Sequence, residues 1–157
     1  MTKYAFSNGN AGSAQNLTTT YKTLVDITAA TGATTLRRAW IYDLLVGVDG
    51  TPADNVVVWK ADRQTSTGTR TAVTPPPLDA ADAAALITCG ANTTIEGIVT
   101  AATQLLEVAV NQRASYRWVA APGGELVVPA TNVAGIGIRA KSPAYASTAT
   151  ATVHLVE

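Results

Sequence analysis

His154 is the only histidine in the 157 residues and Cys89 the only cysteine. These two residue types carry much of the nucleophilic, acid–base and metal chemistry available near neutral pH. One histidine cannot build a His-based zinc site. A Ser-His-Asp triad around it would need distant partners, and no GxSxG segment marks a nucleophile. His154 falls on the threonine-rich face of a strand and reads as a surface or interface residue. Cys89 has no partner for a disulfide, and its flanks Thr88 and Gly90 bring no cation that would lower a thiol pKa. It reads as a small, partly buried residue before a turn. Asp79 and Asp82 are three apart, but capping explains the first and solvation the second. Asp49, Asp54 and Asn55 put oxygen donors in one loop without the EF-hand pattern. The acids lie mostly in turns, which is not how a glycosidase sets its two carboxylates. Gly123-Gly124 follows Pro122 and precedes a strand, so it makes a turn rather than a phosphate loop. No catalytic residue, metal ligand or cofactor is expected from this set. Contact with other proteins is the expected function.

The segment that positions contact residues best is Asn111 to Thr131. It reads as a strand, a Pro-Gly-Gly turn and a second strand stopped by Pro129. Arg113, Ser115 and Arg117 fall on one face of the first strand, with Tyr116, Trp118 and Ala120 on the other. Seven arginines (37, 38, 63, 70, 113, 117 and 139) stand against four lysines. Arginine suits buried or bidentate contacts at interfaces. Arg113 and Arg117 are therefore candidate partner-binding residues.

Composition narrows the class. The length suits one domain with a real core. Charged residues make up 14%, against about 25% in ordinary globular chains. The net charge is 0, so no basic field draws nucleic acid or an anionic membrane. Low charge also leaves little repulsion between copies, which favours a homo-oligomer. Residues 1–20 hold no apolar run of the signal-peptide kind, and no stretch reaches the ~20 apolar residues of a membrane helix. Synthesis in a cytoplasm is expected, with no membrane partner.

The elements read almost wholly as strands. Residues 1–16 are rich in Gly, Asn and Ser and are expected to form a flexible N-terminal arm. In that arm Tyr4 and Phe6 are spaced for one face of an extended strand but have no evident core to join. They are candidate anchors for a partner's sheet edge. Residues 17–157 are expected to form a single β domain. Strands are expected over Leu17–Thr28, Leu36–Val48, Asn55–Gln64, Thr69–Thr74, Asn92–Thr100, Gln104–Val110, the pair in Asn111–Thr131, Ala134–Arg139 and Ser147–Val156. A turn is expected at 30–33. Asp49-Gly50 signals a hairpin turn, prolonged by Thr51-Pro52. Pro75-Pro76-Pro77 forbids a central strand, and Asp79 to Leu86 suggests a short helical crossover. Trp40, Trp59 and Trp118 alternate with apolar neighbours and are expected in the core. Roughly eight to nine short strands with turns every 8–12 residues or so point to a sandwich or barrel. The fold class is all-β, a single jelly-roll-like antiparallel sandwich or barrel. An immunoglobulin-like sandwich fits less well, since the Cys…Trp…Cys spacing is missing.

The run NQRASYRWVAAPGGELVVPAT, Asn111 to Thr131, resembles small virion proteins of tailed bacteriophages. The likeness extends more loosely to TPPPLDA (Thr74 to Ala80) and to Ser142–Glu157. It implies a jelly-roll capsid decoration, or cement, protein. Such a protein is a trimer on the outer capsid surface of the virion, bound to the major capsid protein through its arm and the loops at one end of the barrel. The resemblance carries no individual site residue. A tail or minor virion component remains the alternative, including a carbohydrate-binding β-sandwich for host recognition. A sugar binder would gather aromatics on an exposed face.

Overall fold

Alternating apolar residues bury one side of a strand, and two such sides must face each other to exclude water. That is what the computed structural model of this chain contains. It describes residues 1–29, 36–51, 53–143 and 147–157. The expected turn at 30–33 and Pro52 lie outside the described residues. The strands are β1 (Lys3–Ser7), β2 (Gln15–Leu17), β3 (Lys22–Thr28), β4 (Ala39–Asp49), β5 (Val56–Gln64), β6 (Thr69–Val73), β7 (Thr88–Ile95), β8 (Val99–Asn111), β9 (Tyr116–Val119), β10 (Leu126–Val128), β11 (Gly135–Lys141) and β12 (Ser147–Val156).

They form two six-stranded antiparallel sheets. In the first, β12 and β4 are central; β1 and β2 share the free side of β12, and β9 and β10 share the free side of β4. The second runs β6-β7-β3-β11-β5-β8. Reduced to its frame, β2-β12-β4-β9 faces β3-β11-β5-β8. Within this frame the chain changes sheet at every step except from β5 to β8, which is the jelly-roll-like sandwich. The β6–β7 hairpin is an addition beside β3. Its two connections cross one end of the second sheet side by side, backbone against backbone. Gly68 and Gly97 sit where they touch, and a Cβ on either would strike the other connection.

The core is filled from both sheets. Phe6, Leu24, Val25, Ile27, Ile41, Ile136, Ile138, Val153 and Leu155 are all fully buried. Trp59 belongs to it, as expected. Trp118 packs against it but is only partly buried.

Residues 1–16 differ from the flexible arm expected of them. β1 pairs along its whole length with β12, from Lys3 opposite Val156 to Ser7 opposite Thr152. Tyr4 and Phe6 thereby enter this molecule's own core. After β1, Ser7 caps a 3-10 turn, Asn8–Ala11, and its hydroxyl accepts from the Gly9 N–H. Buried Asn8 ties that turn to β12 through the Ala149 carbonyl and the Ala151 N–H. The polar residues that suggested mobility are spent on these bonds. The Asp79–Leu86 segment makes a turn rather than a helix. Asp79 caps it, its carboxylate accepting from Ala81 N and its carbonyl from Asp82 N.

β4 explains a second difference. Its buried apolar residues are Ala39 and Ile41, then Leu44 and Val46. The step changes from two to three because the β4–β12 register shifts at His154/Leu155. Trp40 and Tyr42 therefore lie on the outer face, and Asp43 joins Leu45 there. Trp40 is not a core residue.

Candidate functional site

The shift in β4 puts an aspartate on the outer face of the first sheet, where both neighbouring strands supply partners. Asp43 is 4% exposed. Arg117, on β9, donates to it from Nε (2.9 Å) and from an Nη (2.8 Å), a bidentate pair. His154, directly opposite on β12, holds Nδ1 3.0 Å from the same carboxylate. Its ring stacks on Tyr42 with centroids 6.1 Å apart. The Arg117 bonds, with help from His154, hold the Asp43 carboxyl below the usual carboxylate range. With Arg117 occupying one side of the carboxylate, Asp43 fixes a guanidinium and an imidazole at once. That orients the His154 ring and turns Nε2 away from the pair.

One row along lies a groove of about 510 Å³, lined by Met1, Lys3, Trp40, Tyr42, Glu125 and Val156. Its floor is set by register: Lys3 lies opposite Val156, Val156 opposite Trp40, and Trp40 opposite Val127. Burial raises the Tyr42 pKa. The Lys3 ammonium stands 6.0 Å from the Tyr42 ring.

A different surface lies on the flank where β8 meets β9 and β10. Leu105, Leu106, Val108 and Val110 of β8, Tyr116 and Trp118 of β9, and Leu126 of β10 all pack on the core yet stay partly exposed. β8 pairs with β5 on one side, and no described strand pairs with its other side. The β8–β9 turn beyond it is bolted by buried Gln112, which accepts from Ala53 N (2.6 Å) and donates to Ser147 Oγ (2.9 Å).

The four candidate contact residues separate. Tyr4 and Phe6 are buried in this molecule's own core. Tyr4 donates its hydroxyl to the Ala83 carbonyl at 3.1 Å. Arg113 is exposed in the turn after β8, where its backbone N–H is held by Asn111 Oδ1 at 2.9 Å. Arg117 is committed to Asp43. Two other arginines are also spent internally: Arg70 pairs with buried Asp26, and Arg139 bridges Asp62 (3.5 Å) and Glu96 (3.6 Å). Cys89 is buried, and burial raises its thiol pKa. Among the described residues no group of three or more His, Cys, Asp or Glu side chains is placed to hold a metal ion.

The Asp43–His154–Arg117 cluster and the exposed face of Trp40 were not anticipated. The jump in apolar spacing from Ile41 to Leu44 is the one signal that marked them. No protein-family model, curated protein or solved structure matches this chain.

Proposed function

We propose that this chain is a structural assembly subunit, a decoration or cement protein of a tailed-bacteriophage capsid that binds the major capsid protein lattice as a homo-oligomer, most simply a trimer. The observation that carries the assembly reading is the contrast among the sheet edges. The free side of β1 is covered by the proline run: Ala5 N–H donates to the Pro76 carbonyl (3.1 Å) and Leu78 N–H to the Lys3 carbonyl (2.8 Å). β6, β9 and β10 are five residues or shorter, and prolines 75, 122 and 129 follow them closely. β8 is 13 residues long and contains no lysine, arginine or proline. Natural proteins shield long apolar edges, because an open row of N–H and C=O groups templates pairing with another chain.

The register of β8 is irregular near its start, and Ala102 has φ 57. From Leu106 to Asn111 it pairs regularly with Val56–Ala61. That regular stretch presents the joining edge, with half-covered apolar side chains beneath it and Arg113 just beyond. The likeness of Asn111–Thr131 to virion proteins gives the assembly its setting. The test is to add the purified protein to capsids that lack it. Saturable co-sedimentation, with cryo-EM density for the sandwich on the outer shell at a fixed position in each capsomer, supports the reading. Absence of binding to such capsids, or density only on the tail, refutes the capsid assignment.

A further inference from the structure

We infer that the groove over Trp40 on the outer face of the first sheet binds a neutral oligosaccharide. This surface is separate from the β8 flank and does not depend on the assembly reading.

Several observations converge on a polyhydroxylated ligand. Trp40 and Tyr42 are two residues apart on one strand face, so both rings border the same groove. An aromatic face carries negative quadrupole density, which suits the polarised C–H groups on the apolar side of a pyranose. Four of the lining residues carry polar heads: the Trp40 indole N–H, the Tyr42 hydroxyl, the Lys3 ammonium and the Glu125 carboxylate. None of them has a hydrogen-bond or ion-pair partner among the described residues. They supply two donors, one acceptor and one group that is both. Several charges elsewhere on this molecule are consumed in pairs, as in Asp43–Arg117, Asp26–Arg70 and Lys60–Glu107. Lys3 and Glu125 line one groove yet remain unpaired across it.

The charge at the rim decides the ligand's own charge. The rim carries both signs, with the Lys3 ammonium and the Met1 α-amino group set against the Glu125 carboxylate, so an anionic or a cationic ligand meets a like charge there. An apolar ligand would strand the polar heads. A neutral sugar satisfies all of them and covers the indole. The wall is fixed in advance: the Asp43–Arg117 pair anchors His154, and His154 stacks on Tyr42, so little order must be imposed on binding. The groove volume is that of ordinary small-ligand sites, which span about 300–1,000 Å³.

The experiment is a titration of the full chain with a panel of neutral tetrasaccharides: cello-, malto-, chito- and mannotetraose. Tryptophan fluorescence and two-dimensional NMR are the readouts. At least one member should saturate, with shift changes confined to Lys3, Trp40, Tyr42, Glu125 and their strand neighbours. Trp40→Ala should weaken binding about tenfold, equivalent to about 1.4 kcal/mol. Glu125→Gln should weaken it less. Trp118→Phe, on the opposite side of the sandwich wall, should bind as the wild type does. Because Trp40 lies outside the core, Trp40→Ala should keep its NMR dispersion, which separates lost binding from lost folding. The inference is overturned if no tetrasaccharide saturates, if Trp40→Ala binds as tightly as the wild type, or if the shifts map elsewhere.

Discussion

The two flanks of this sandwich are built from the same materials and finished differently. At the β1–β12 side, Tyr4, Phe6 and Leu17 are buried, and the proline run seals the outer edge of β1. At the β8–β9–β10 side, apolar side chains of the same kind stay partly open, and the longest strand of the molecule has one free side. Hydrophobic burial stabilises in proportion to the area removed from water. The closed flank therefore contributes its full share to the isolated chain. The open flank leaves some of that area in contact with water. The proposed assembly therefore draws on the side of the core that contributes less to the stability of the isolated chain.

The comparison is tested most severely at Phe6. Phe6→Ala removes a fully buried ring and should cost about 3–5 kcal/mol, seen as a large fall in urea midpoint or melting temperature. Deleting residues 2–14 should do at least as much harm, because β1 and the Asn8 bonds leave with it. A truncated chain that melted like the full one would mean that β1 is a dispensable arm and that the flanks do not differ in this way.

Trp118→Ala is the matched change on the open flank. Its ring is only partly covered, so the loss should be about 1.5–3 kcal/mol, the scale for transferring one large apolar side chain. It should also be smaller than that of Phe6→Ala measured in the same buffer. An equal or greater loss for Trp118 would show that the open flank is closed in solution.

How far the sequence could be read divides along similar lines. Alternation in β5, β11 and β12 and the turn signals between them were enough for an all-β sandwich. A period of two survives in those strands wherever one face is covered. Three features escaped it. Tyr4 and Phe6 had a visible spacing, but their core is supplied by β12, about 150 residues away in sequence. Trp40 was placed inside because strict alternation was carried through the β4 bulge. The Asp43–His154–Arg117 cluster needs three strands in register, and strand order is not written in local pattern. Arg113 and Arg117 sit in one run of sequence, yet only Arg113 is left uncommitted by the fold.

Acid titration probes the outer face, where the expected effect is smaller. Asp43 is held below its ordinary range by the Arg117 bonds, with His154 helping. A carboxyl with a depressed folded pKa stabilises the fold above its unfolded value, about 3.9, and that contribution disappears as pH falls through the folded value. Asp43→Asn should thus be less stable than wild type at neutral pH, and the gap should close below about pH 4. Denaturant midpoints measured from pH 7 to pH 2 provide the check. A gap that stayed constant over this range would remove titration of Asp43 from the account.

The smallest expected change in stability belongs to the edge of β8, and it carries the largest expected change in assembly. Gln112 N–H donates to the Asn55 carbonyl of the neighbouring chain segment at 2.8 Å. N–H groups alternate sides along a strand, so the N–H of Ala109, three residues earlier, faces the open side. Ala109 is exposed, and its side chain lies on the outer face beside Val58. Ala109→Pro therefore removes one outward donor and breaks no bond of the β5–β8 ladder; proline is tolerated at such edge positions. Ala109→Lys adds the charge with which natural edges are guarded, at a stability change within about 0.5 kcal/mol. Sedimentation velocity at tens of micromolar should show the wild type associated and both variants monomeric, with melting of the lysine variant nearly unchanged. If wild type and variants sediment alike, β8 is not the joining edge.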